Sequence, residues 1–234
     1  MTLPVAILAG GLATRLRPVT EKIPKALVEV AGKPFIEHQL EILKENGVKK
    51  AVLCVGYLGE MLQEAVGDGS RFGVEVLFSF DGPVLLGTGG SLRKALPLLG
   101  DAFLVLYGDS YLDCDYRAVE EAFLKSGRPA LMTVFHNKGL WDKSNILFGD
   151  GRVIRYDKKS DSPAMEYIDY GLSALKSSAL AGIPAGEAFD LADLYRDIVD
   201  KGEMAGYEVT RRFYEIGSHE GLEETRKLLE KSLR

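Results

Sequence analysis

Short apolar runs and amphipathic stretches alternate along the first half of the chain. Residues 5–8 carry no charge and predict a buried first strand. Residues 34–46 put Phe35, Ile36, Gln39, Leu40 and Leu43 on one helical face, with Gln39 its weak member. Pro34 suits the first turn of that helix, and Gly47 suits the position just past its end. A strand at 51–55, a short helix at 58–66 and a strand at 74–78 follow. A helix at 89–98 opens from the turn Gly87-Thr88-Gly89-Gly90, and a strongly apolar strand at 103–107 runs into Gly108-Asp109. A helix at 116–125 and a strand at 130–135 continue the alternation. Repeated strand–helix units predict an α/β fold with a mostly parallel sheet and helices on both faces.

The pattern then changes. Residues 145–148 and 152–156 flank Gly149-Asp150-Gly151 and read as a hairpin. A strand at 165–174, a helix at 190–201 with Asp190 as its N-cap, a short strand at 213–216 and a charged helix at 221–233 complete the reading. No repeat, low-complexity segment or linker interrupts the chain, so one domain is expected over 1–234. Ligands of such sheets sit beyond the C-terminal ends of the strands. The Gly10 turn, the Gly87 turn and Asp109 all fall at such ends.

Composition narrows the class. Hydrophobic residues make up 46% of the 234, enough for a sizeable core. A formal charge of −5 argues against a broad nucleic-acid-binding surface, so any anion site is local. No apolar run is long enough to cross a bilayer, and no basic flank with a cleavable apolar segment opens the chain. Cys54 and Cys114 have no partner at metal spacing, and Cys54 reads as a core residue. A reducing, cytoplasmic setting is expected. His38, His136 and His219 are scattered and read as structural or surface residues.

The chemistry concentrates in Leu8-Ala9-Gly10-Gly11-Leu12-Ala13-Thr14-Arg15-Leu16-Arg17-Pro18, followed by Pro24-Lys25. A strand that ends in a Gly-rich turn presents bare backbone N–H groups, which bind anions. Arg15, Arg17 and Lys25 add cations, so a polyphosphate is the expected anion. Neither the Walker-type phosphate loop nor the dinucleotide glycine fingerprint is present. The pattern resembles the signature of the nucleotidyltransferases that join a nucleoside triphosphate to a sugar 1-phosphate. That resemblance implies a Rossmann-like mixed sheet of the nucleotide-diphospho-sugar transferase type. It implies a nucleotide-binding part over about 1–110 and a sugar-phosphate-binding part over about 111–234. Mg2+ is the implied cofactor, and an NTP and a sugar 1-phosphate are the implied substrates. Nucleic acid and membrane are not expected partners, and self-association is left open.

The resemblance also carries residue roles. Leu8, Ala9, Gly10, Gly11, Thr14 and Arg15 match the nucleotide-binding loop. Gly87, Thr88 and Gly89 resemble the base-binding loop, where backbone groups read the base edge. Arg15, Lys25 and Asp109 are the implied catalytic residues: Arg15 for the departing diphosphate, Lys25 for the phosphates being joined, Asp109 for the metal. A second metal-binding carboxylate is expected in Tyr214-Glu215-Ile216-Gly217-Ser218, where Glu215 stands for the family's Asp and Ser218 for its Thr. Asp157 and Lys158, with Asp169 and Gly171, match the sugar-phosphate motifs. Relatives carry Asn at the position of Asp169 and a small residue at that of Tyr170, so the acceptor pocket is expected to be altered. Each charge could also be a solvated turn residue or a cap.

The expected reaction is NTP plus sugar 1-phosphate giving NDP-sugar plus diphosphate. Two other readings remain open. One is the same transfer to another phosphorylated acceptor such as phosphocholine; the other is a noncatalytic nucleotide-sugar-binding subunit. Residues 80–85 lack the Gln that many relatives use for the base, so neither base nor sugar is legible.

Overall fold

The computed structural model describes residues 2–160 and 162–232. The first half contributes β1 (Val5–Leu8), the ribbon strands β2 (Glu29–Val30) and β3 (Lys33–Pro34), α1 (Phe35–Glu45), β4 (Lys50–Val55), α2 (Gly59–Val66), β5 (Glu75–Phe80), α3 (Gly87–Leu99) and β6 (Ala102–Tyr107). The second half contributes β7 (Ser110–Tyr111), α4 (Tyr116–Ser126), β8 (Ala130–His136), β9 (Ile146–Gly149), β10 (Arg152–Tyr156), β11 (Tyr167–Lys176), α5 (Leu191–Asp200), β12 (Met204–Val209), β13 (Tyr214–Glu215) and α6 (His219–Ser232).

Among the described residues, nine strands form one sheet in the order β5-β4-β1-β6-β11-β8-β12-β10-β9. The quartet β5-β4-β1-β6 is parallel. β11 runs against β6 and β8, β10 runs against β12 and β9, and the other strands share one direction. The sheet is therefore mixed, with seven of these nine strands running in one direction, and helices cover both faces.

Period-two alternation divides the core. Val5, Ile7, Ala51, Leu53, Leu104 and Leu106 face α1, α2 and α4. Ala6, Val52, Cys54, Phe103 and Val105 face α3 and α5. In α1 the side chains of Phe35, Ile36, Leu40 and Leu43 are fully buried. Each such burial contributes about 1.5–3 kcal/mol. The helix closes as expected at Gly47, whose φ is +78°. Gly47 N donates to Lys44 O and Val48 N to Leu43 O, both at 2.9 Å, which satisfies the terminal carbonyls.

Three expectations are corrected and one strand is added. The Gly87 turn is the first turn of α3 itself. The strand expected at 213–216 shortens to β13 and pairs with β7 outside the main sheet. β12 was not foreseen, because Gly206 and Glu208 break its apolar pattern. Gly206 is required there, since a Cβ would run into the Phe148 ring. The last helix begins at His219, and its expected end at Leu233 lies outside the described residues.

Candidate active site

β1 lies between β4 and β6, so the loop that leaves Leu8 runs over the C-terminal edge of the parallel quartet. Ala9 N donates to Cys54 O at 2.9 Å and seats the loop on β4. The two glycines differ. A Cβ on Gly10 would stand 2.9 Å from Gly56 N, so backbone packing requires glycine. A Cβ on Gly11 would meet nothing within 4 Å, and its φ is outside the left-handed region. The fold makes no demand for glycine at 11, and the open space beside it leaves this backbone approachable by a ligand. Leu8, Ala9, Gly10, Gly11 and Lys25 line a cavity of about 210 Å³. Thr14 is exposed and lines neither this cavity nor its larger neighbour.

Asp109 follows β6 directly. Gly108 N donates to Leu8 O at 3.0 Å, and a Cβ there would stand 2.6 Å from that same oxygen. Lys25 Nζ pairs with Asp109 Oδ2 at 2.6 Å. β7 then pairs antiparallel with β13, setting Glu215 opposite Ser110, and Ile216 N donates to Asp109 O at 2.9 Å. This short ladder carries the downstream carboxylate to the upstream one. A Cβ on Gly217 would lie 2.5 Å from Glu215 Oε2, 3.0 Å from Asp109 Oδ2 and 3.3 Å from Arg15 Nη2. Arg15, Lys25, Asp109 and Glu215 thus converge on one spot.

The two carboxylates suit a hard cation. Glu215 Oε1 accepts from Ser218 Oγ at 2.6 Å and Oε2 from Gly217 N, which leaves each oxygen a free lone pair. Among the described residues no group of three His, Cys, Asp or Glu side chains has metal-binding geometry. Mg2+ needs only one or two carboxylates, because waters and phosphate oxygens complete its shell. The residues present fit that ion.

The Gly87 loop behaves differently from expectation. Gly87 and Thr88 line the smaller cavity, but Gly89 does not. Gly89 N and Gly90 N both donate to Phe189 O, at 2.8 and 3.2 Å, so these amides are not available to a base. Thr88 Oγ1 donates to Asp190 Oδ1 at 3.1 Å and accepts from Leu191 N at 2.8 Å, at the start of α5. The glycines let α3 dock closely on the segment that caps α5. The sequence reading passed over Asp81, which is buried in the same cavity wall. Its Oδ1 accepts from Ser91 Oγ at 2.6 Å and its Oδ2 from Leu86 N at 2.9 Å, which holds the 81–86 loop. Cys54 lies at the cavity floor, where burial pushes its thiol up to about 12.

A second cavity of about 720 Å³ adjoins the first, and Tyr107 and Asp109 line both. Arg15, Lys158, Asp169 and Gly171 line it as well. Gly171 has φ +101° at a register break of β11 against β8, and that break turns Asp169 toward the cavity. Burial raises the Asp169 carboxyl above its usual range, opposed by the Lys158 charge and the Gly171 N–H. Asp157 does not reach the cavity. It accepts from Lys159 N at 2.9 Å and pairs with Arg155 at 3.1 Å, and these donors hold it below the usual carboxylate range.

Three acceptor-side residues escaped the sequence reading. Asn145 Oδ1 accepts from Asp169 N at 3.1 Å and fixes that backbone. The Arg212 guanidinium stacks 3.4 Å from the Trp141 ring centre and 4.7 Å from that of Tyr214, and pairs with Glu224. The Trp141 loop is anchored by buried Asn137, whose Nδ2 donates to Asp142 O at 2.6 Å. Tyr170 lines this cavity as a buried ring set edge-on to Phe213 at 6.3 Å.

The nucleotidyl transferase family model matches residues 5–232. The UTP–glucose-1-phosphate uridylyltransferase of Synechocystis sp. is 31% identical over 216 residues, covering 84% of this chain and 55% of that protein. The chain thus spans about half the length of that relative. The N-acetylmuramate alpha-1-phosphate uridylyltransferase of Neisseria meningitidis is 32% identical over 218 residues, covering 91% and 92%. The crystal structure of a glucose-1-phosphate thymidylyltransferase assignment from Bacillus anthracis superposes with a TM-score of 0.85 at 20% identity, covering 98% and 96%, and shares the fold.

Proposed function

The chain belongs to the nucleotidyl transferase family, and on that premise we propose that it transfers a nucleotidyl group from an NTP to a sugar 1-phosphate. An oxygen of the sugar phosphate bonds to the α-phosphorus. The bond from that phosphorus to the bridging oxygen breaks, and its electron pair leaves with diphosphate. The attacking phosphate is already ionised at neutral pH, its second pKa lying near 6, so no general base is required. What the protein supplies is positioning and charge neutralisation.

One observation carries this reading: Arg15, Lys25, Asp109 and Glu215 meet where the two cavities join. The Gly10-Gly11 amides and Arg15 receive the departing diphosphate, and Lys25 and Lys158 hold the phosphates being joined. Asp109 and Glu215 would hold Mg2+, which when bound neutralises charge on the phosphate oxygens. Asp169 and Asn145 accept and donate hydrogen bonds to the sugar. Residues 1–110 form the nucleotide part and 111–234 the acceptor part of one catalytic domain. Among the described residues no helix is long and apolar enough to cross a membrane, and two unpaired cysteines suit a reducing cytoplasm.

Phosphocholine is disfavoured as the acceptor. Aromatic faces recognise a quaternary ammonium, and the Arg212 cation already occupies one face of Trp141 and one of Tyr214. The deciding experiment is a matrix of four NTPs against a panel of sugar 1-phosphates and phosphocholine, read as released diphosphate. Mg2+-dependent release with at least one sugar 1-phosphate is expected. Turnover with phosphocholine alone, or with none, would overturn the proposal.

A further inference from the structure

We propose that Gln39 is a positioning residue for Asp109, and through it for the divalent cation; this rests on the metal role given to Asp109 above. Gln39 sits in the middle of α1, on the face whose other members are hydrocarbon, and is 2% exposed. Its Nε2 donates to Tyr107 O at 3.0 Å and to Ser110 O at 2.8 Å. Those two carbonyls bracket Gly108-Asp109. One amide therefore ties both ends of the turn that carries the carboxylate. The turn is also tied by backbone bonds, from Gly108 N to Leu8 O at 3.0 Å and from Ile216 N to Asp109 O at 2.9 Å, and by the Lys25 Nζ pair with Asp109 Oδ2 at 2.6 Å.

Packing does not account for a glutamine here. Its Oε1 is buried with no partner among the described residues, an unfavourable state that leucine would avoid while completing the apolar face. The two carbonyls at the metal turn do account for it. Without Nε2 they lose their side-chain donor, and the turn gains freedom at the point where Asp109 must be aimed. Groups that orient metal ligands contribute about 10- to 100-fold to metal affinity. Gln39→Met keeps the length and apolar stem and removes the donor. Gln39→Leu does the same with a shorter chain.

The test is a Mn2+ titration of the whole ligand-free protein followed by electron paramagnetic resonance, with circular dichroism to check the fold. Wild type, Gln39→Met, Gln39→Leu and Asp109→Asn are compared. The expected result is a Mn2+ dissociation constant raised about 10-fold or more in a folded Gln39 variant, with Asp109→Asn binding none. Raised Mg2+ should then restore turnover in the Gln39 variant but not in Asp109→Asn. Wild-type Mn2+ affinity in folded Gln39 variants would overturn the positioning role while leaving Asp109 as a ligand. Loss of fold in both Gln39 variants would make the residue a packing element and overturn the proposal. If Asp109→Asn binds Mn2+ like wild type, or wild type binds none, the metal reading fails first and Gln39's role falls with it.

Discussion

Lys25 Nζ and Asp109 Oδ2 stand 2.6 Å apart although 84 residues separate them in the chain. The pair joins the short helical turn after Pro24 to the end of the central strand β6. It puts a cation and the carboxylate proposed to bind the metal side by side in the wall of the smaller cavity. Lys25→Ala and Asp109→Ala should each lower turnover by about 100- to 1000-fold, the range for loss of one preorganised charge-stabilising group. Both side chains are partly exposed, so the fold should survive. Diphosphate release and thermal denaturation, measured on the same preparations, check both halves of this expectation.

Gly10 and Gly11 should separate fold from function. Gly10→Ala drives a methyl into Gly56 N and should cost about 1–3 kcal/mol of stability. Gly11→Ala meets no protein atom, so its melting temperature should stay near wild type. Its KM for the NTP should rise instead, because the methyl occupies space beside the phosphates. Equal destabilisation of the two variants would contradict the distinction.

Asp169 ties stability to pH. Burial raises its carboxyl above the ordinary range. A carboxyl raised in the folded state contributes its full stability below the unfolded value and loses it as pH climbs through the folded value. Asp169→Asn should therefore melt higher than wild type near pH 7, and the difference should vanish below about pH 3. The same substitution removes a charged acceptor from the sugar cavity, so KM for the sugar 1-phosphate should rise about 10-fold. Melting curves across pH and acceptor saturation curves test the two effects separately.

Gly90 tests the revised role of the Gly87 loop. A Cβ at 90 would collide with Glu187 O, so Gly90→Ala should lower the melting temperature by several degrees. Preference among NTPs should not change, because the Gly89 and Gly90 amides already serve Phe189 O. A switch in preferred base with unchanged stability would restore the base-reading role.

Trp141→Ala should uncover the Arg212 guanidinium, which now stacks on that ring at 3.4 Å. Affinity for the sugar 1-phosphate should change while KM for the NTP stays the same, since Trp141 lines only the acceptor side of the joined cavities. Initial-rate kinetics with each substrate varied in turn would show the split.

Patterning within a few residues was enough to read β1, α1, β4, β6 and the Asp150-Gly151 hairpin turn, because strand alternation and helical periodicity are decided by near neighbours. Residue type also marked Gly10-Gly11, Arg15 and Lys25 as suited to an anion and Asp109 as a strand-end carboxylate suited to a divalent cation, while their expected roles came from the family resemblance. Tertiary structure alone decided which elements meet. The pairing of β7 with β13 brings Glu215 to Asp109; α1 packs so that Gln39 reaches two carbonyls of another loop; and the Phe189 carbonyl claims the Gly89 amide that was expected to face a ligand. Nothing local distinguishes a free N–H from one satisfied by a partner a hundred residues away, and so Asp157, Gly89 and Gln39 took their roles only when the chain had closed on itself.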